Sequence, residues 1–167
     1  MLDANYYIED FILMSNFPFA WWDKTITIYN RYVDPTNQHI TWYRTVVENC
    51  FWKASNEMFS MGRYGVSTIG VVTPVKTIIC RIPQSADFAD KLEWKELSDK
   101  SEKFTLANED IIILGEVDDE IDEYATGKRS SDLIARYKEY DACLVIDTYT
   151  NNVQTGVGLA HYRVTGK

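Results

Sequence analysis

KTITIYNRYVDPTNQHITWYRTVVENCFWKA, residues 24–54, reads as a strand, a polar turn and a longer return strand. Thr25 to Tyr29 are β-branched or aromatic without a break, a composition suited to a pleated, half-buried backbone. Asp34-Pro35-Thr36-Asn37 supplies the turn: proline fixes φ, while Asp and Asn bond their own backbone. In the return strand Ile40, Trp42, Val46, Cys50 and Trp52 fall at even spacing, which predicts one shared face, with Thr41, Tyr43, Thr45 and Val47 on the other. A hairpin so rich in Trp and Tyr can nucleate an antiparallel core through cross-strand aromatic pairs.

Working outward, residues 1–23 form an N-terminal aromatic arm and residues 24–167 a single β-domain. Within the arm, Ile8, Phe11 and Ile12 predict a short amphipathic helix that Ser15-Asn16 and Pro18 would end. Phe17, Phe19, Trp21 and Trp22 follow, either as a plug over the domain's own core or as an arm that docks into a neighbouring subunit. Residues 55–70 lose periodicity around Gly62, Gly65 and Gly70, and predict a long loop or hairpin tip that projects Met58, Phe59, Met61 and Tyr64. Its glycines lack the spacing of a phosphate cradle.

Residues 76–82 predict a strand ended by Pro83, and residues 84–103 a charged loop with one helical turn. Phe104-Thr105-Leu106 predicts a short strand, Asn108-Glu109-Asp110 a turn, and Ile111–Leu114 a strand buried on both faces and stopped by Gly115. Ser130-Ser131-Asp132 begins a short helix, Ala142–Ile146 is another buried strand, and Val157–Val164 closes the chain. The sum is a mainly β fold: a small antiparallel β-barrel or sandwich with one short helix and the arm.

Chemistry is harder to find. A net charge of −8 argues against binding driven by phosphate neutralisation. Cys50, Cys80 and Cys143 each sit in an apolar run and read as buried, reduced thiols. The acidic N-terminus does not resemble a signal peptide, and no apolar run reaches the ~20 residues that cross a membrane. His39 and His161 have no second ligand at zinc spacing. A Cys50–His161 nucleophile pair is conceivable, but a satisfied strand histidine explains His161 more simply. The run EVDDEIDE, residues 116–123, lacks the register of a calcium loop and reads as a solvated acidic surface. No catalytic, metal-binding or cofactor-binding residue is expected.

Two stretches carry a resemblance. TITIYNRYVDPTNQHITWYRTVVENCFW (residues 25–52) and NEDIIILGEVDDEI (residues 108–121), in that order, resemble the head-closure or head–tail joining (neck) proteins of tailed phages with long non-contractile tails. The arm and the 55–70 segment make this chain longer than a minimal member. The resemblance implies a small β-barrel that assembles into a cyclic homo-oligomer between a portal or adaptor protein and tail proteins. It places the chain in a virion assembled in the host cytoplasm, with DNA passing nearby without specific binding and no membrane involved. Asp118, Asp119 and Glu120 would then form a DNA-repelling acidic surface. Other classes are a tail-completion or minor capsid protein, a cellular β-barrel module for a peptide or small ligand, and an enzyme.

Overall fold

The computed structural model describes residues 21–60, 72–153 and 160–166. The described strands are β1 (Lys24–Val33), β2 (Ile40–Ser60), β3 (Val72–Pro83), β4 (Ile111–Leu114), β5 (Cys143–Asn151) and β6 (His161–Gly166). They close into an antiparallel barrel in the order β1-β2-β3-β6-β5-β4. The described helices are α1 (Lys91–Glu96) and α2 (Ser130–Lys138). The expected β-barrel is the fold, with a second short helix where one helical turn was expected in the 84–103 loop.

The β1–β2 turn forms as its residues dictate. Asp34 Oδ1 accepts from Thr36 N at 2.7 Å, and Asn37 Oδ1 accepts from His39 N at 2.9 Å. Gln38 takes a positive φ of 60° to complete the reversal. The even-spacing expectation for β2, however, fails at one point. Lys24 pairs with Cys50 but Ile26 pairs with Val47, so two residues of β2 oppose Thr25. Asn49, at φ 57°, absorbs the bulge. Side-chain parity flips there: Val47, Cys50 and Trp52 join the barrel interior, whereas Trp42 packs on the outer side against a second apolar cluster. One extra residue thus gives β2 two apolar faces, one for each core.

The interior is filled by Ile26, Ile28, Ile78, Ile82, Ile112, Leu144, Ile146 and Val164. Phe104 and Leu106 join them. Residues 104–106 were expected as a strand. Phe104 instead makes a single bridge to Phe88, and the segment plugs the barrel interior. Trp94 ties the preceding loop down: its ring meets Tyr43 edge-on at 5.6 Å, and its Nε1 donates to Lys103 O at 2.9 Å. A second, outer core joins Tyr29, Ile111, Ile113 and Cys143 to Val117, Ile121 and Leu133 of the loop and α2. A carboxylate from the preceding loop holds the start of α2. Ser130 N and Oγ both donate to Glu123 Oε1, and Arg129 occupies the N-cap without a side-chain bond.

All three cysteines are free and buried. Burial pushes the Cys50 thiol up to about 12 and Cys143 to about 11, and raises Cys80 well above its ordinary value. The thiolate is the reactive form. A disulfide-exchange reagent at pH 8 should therefore leave the native protein unlabelled and modify all three thiols once guanidinium unfolds it. Rapid labelling of the folded chain would contradict this packing.

Candidate functional site

The expected functional residues fall into separate places. Phe17, Phe19, Met61 and Tyr64 lie outside the described residues. Trp21 and Trp22 part company: Trp22 is buried and meets the His161 ring edge-on at 5.5 Å, while Trp21 is 77% exposed. Trp22 is thus among the buried apolar residues, and Trp21 is on the surface.

Met58 and Phe59 lie in a strand and not in a loop. Backbone register pairs Met58 with Pro74 and Phe59 with Thr73, because β2 continues to Ser60. Here the hairpin outruns the barrel wall. The last β1 partner of β2 is Cys50, and the last β6 partner of β3 is Ile78. The rungs from Ser55↔Thr77 to Ser60↔Val72 therefore form a two-stranded ribbon with no neighbour on either side among the described residues. At about 3.3 Å per residue the ribbon reaches on the order of 20 Å beyond the wall. Two strands alone are marginally stable in water, so such an extension is suited to contact with something else. Pro74 lies on the β3 edge, which lacks β6 there; proline offers no N–H and blunts that edge against unwanted strand pairing.

The acidic run lies across the outer face of β1 and β2. Tyr29 Oη donates to Asp119 O at 2.6 Å, Arg44 Nε donates to Val117 O, and Thr27 Oγ1 accepts from Val117 N at 3.0 Å. Burial raises the Tyr29 phenol to about 12, against the pull of Arg44, so it stays a donor. Asp118 pairs with Arg44 and Asp119 with Arg136, each at 2.9 Å. The Asp118 side chain is 94% exposed, so its pair adds little to stability. Glu116 and Glu120 are exposed with no ion pair among the described residues. Asp119, Glu120, Lys128, Arg129 and Arg136 line a cavity of about 270 Å³ beside α2, with both signs of charge interleaved.

The most perturbed carboxylate, Asp110, escaped the sequence reading. Its Oδ1 accepts from Arg31 N at 2.8 Å, and its Oδ2 accepts from Asn30 Nδ2 at 2.8 Å and Ala107 N at 2.9 Å. Burial raises it from 3.8 to about 6, against those three donors. It is 1% exposed and ties the 104–110 plug to β1, an arrangement that orders a loop rather than receives a substrate. The sequence signal was the Asp at the end of the turn before a buried strand. Among the described residues no group of three or more His, Cys, Asp and Glu is placed to hold a metal, and no helix is long and apolar enough to cross a membrane.

What fold and surface define is a closed antiparallel β-barrel with a packed interior, an outer helix and a projecting ribbon. Over residues 21–167 the chain matches the model of the family of unknown function DUF6751, and it belongs to that family. The comparisons found no match among curated proteins or solved structures.

Proposed function

We propose that the protein is a structural subunit of a phage neck, a ring component that joins the DNA-filled head to the tail and helps retain DNA. It acts by shape and surface, without bond-making chemistry. The observation that carries this reading is the ribbon, residues 55–60 with 72–77, which has no strand neighbour on either side among the described residues and extends from a barrel whose interior is filled by its own side chains. A filled barrel has no room for a ligand inside it, so its contacts must come from outer surfaces. A ribbon with no strand partner on either side among the described residues is suited to reach a neighbouring ring or a portal protein. The resemblance of residues 25–52 and 108–121 to neck proteins gives those contacts their setting. In a DNA channel the net charge of −8 would keep the protein from holding DNA, with Glu116 and Glu120 as exposed carboxylates that no ion pair offsets among the described residues.

Deletion of the gene from the phage that carries it tests the reading. DNA-filled heads that leak and lack tails are the expected particles. Complete, infectious virions would overturn it, and empty heads or tails of abnormal length would move the protein to a capsid or tail-completion role.

A further inference from the structure

We propose that the outer face of β3 and β6 is a docking surface for the acidic 116–120 segment of a second copy of this chain, joining copies head to tail. The inference rests on the ring-forming reading above and names the surfaces that would close the ring.

Two rows of side chains run across this face. Phe51, Arg81, Arg163 and Thr150 are directly opposed on β2, β3, β6 and β5, and Lys53, Ile79, Thr165 and Thr148 form the next outward row. The residues between them, Trp52, Cys80 and Val164, point into the barrel core. Neither row holds a carboxylate, although the chain carries 25 acidic residues against 17 Lys and Arg. Lys53, Arg81 and Arg163 have no ion pair among the described residues. Arg81 faces Arg163 directly across the strands, an arrangement that repels unless an anion sits between them. The Arg81 guanidinium lies over the Phe51 ring at 5.0 Å, and its Nε is buried without a hydrogen-bond partner among the described residues. Buried donors are nearly always paired, so this N–H points to an acceptor that the described residues do not supply. α2 packs against β5 and the outer core, and leaves these rows uncovered.

Charge complementarity selects the occupant. The 116–120 segment presents Glu116, Glu120 and the 94% exposed Asp118. It follows β4 and crosses β1, and the β1–β4 seam lies opposite the β3–β6 seam in the barrel order. Different patches on opposite sides make a heterologous contact, which repeats from copy to copy into a ring or a filament.

Zero-length carbodiimide cross-linking of an equal mixture of isotopically light and heavy full-length protein at low salt tests this. The expected product is an amide from Lys53 to Glu116, Asp118 or Glu120 that joins a light to a heavy chain. Its yield should fall about tenfold in Arg81→Glu/Arg163→Glu and in Asp118→Lys/Glu120→Lys, with inter-chain products of the mixed pair returning to about the wild-type level, since each reversed face then meets its complement. Thermal melts of both variants verify folding. Absence of the inter-chain link, or a yield indifferent to the reversals, would overturn the proposal and leave the gene-deletion result untouched. Retardation of duplex DNA that depends on Arg81 and Arg163 would overturn it in favour of a phosphate-binding face.

Discussion

Asp110→Ala is expected to destabilise the protein by about 3–5 kcal/mol, because each buried N–H left without an acceptor costs about 1–3 kcal/mol. Arg31 N, Ala107 N and Asn30 Nδ2 all lose their acceptor at once. Asn30 also holds Thr105, donating to Thr105 O at 2.7 Å and accepting from Thr105 N at 3.2 Å. The plug that carries Phe104 and Leu106 into the core would therefore loosen with it. Denaturant unfolding would show a lower midpoint, and an unchanged midpoint would mean the network is ornamental.

The same carboxylate makes a pH prediction whose sign is opposite to the common one. A carboxyl whose value rises on folding favours the folded state most when protonated. Its contribution is complete below the unfolded value of 3.8 and is lost as pH climbs to the folded value of about 6. The whole span corresponds to on the order of 3 kcal/mol. Asp110→Asn keeps the size but removes the titration. The stability advantage of wild type over this variant should shrink between pH 4 and pH 6.5. An advantage that stayed flat or grew would show that the three donors hold Asp110 ionised throughout.

Gly166→Ala should cost about 3 kcal/mol, near the upper end for overpacking a closed site. Gly166 lies at the barrel seam, paired with Ile78 on one side and Ile146 on the other. A Cβ there would stand 1.9 Å from Val145 O and 2.6 Å from Leu144 Cδ1. The nearer atom is a backbone carbonyl in β5, which cannot rotate away as a side-chain tip could. At about 2–4 °C per kcal/mol for a domain of this size, the melting temperature should drop by about 6–12 °C. Gly127→Ala is the contrasting case: nothing lies within 4 Å of its Cβ position, and only the φ of 72° is unfavourable. That change should cost about 1 kcal/mol. Equal effects at the two glycines would contradict the tight closure of β5 on β6.

The barrel was legible because local chemistry and tertiary structure agree along most of the chain. Asp34 and Asn37 make the turn their side chains favour, and the unbroken Ile111-Ile112-Ile113-Leu114 run lies between β1 and β5. The β2 faces were not legible, since the one extra residue near Asn49 leaves no mark in composition yet reverses parity. The 104–106 segment was misread as a strand because buried apolar residues look alike whether they join a ladder or fill its interior. Long-range pairing extended β2 to Ser60 through a stretch with no local periodicity. The site was less legible still. The acidic run stood out as a block, but its partners Arg44 and Arg136 lie far off in sequence. The basic rows on β3 and β6 become a surface only when Arg81 and Arg163 are brought side by side.

Gold labelling of purified virions whose copy of this chain carries an epitope tag tests the neck reading most directly. A cluster of label at the junction of head and tail is the expected image. A chain absent from the particles, or labelled along the tail or over the capsid shell, would contradict it.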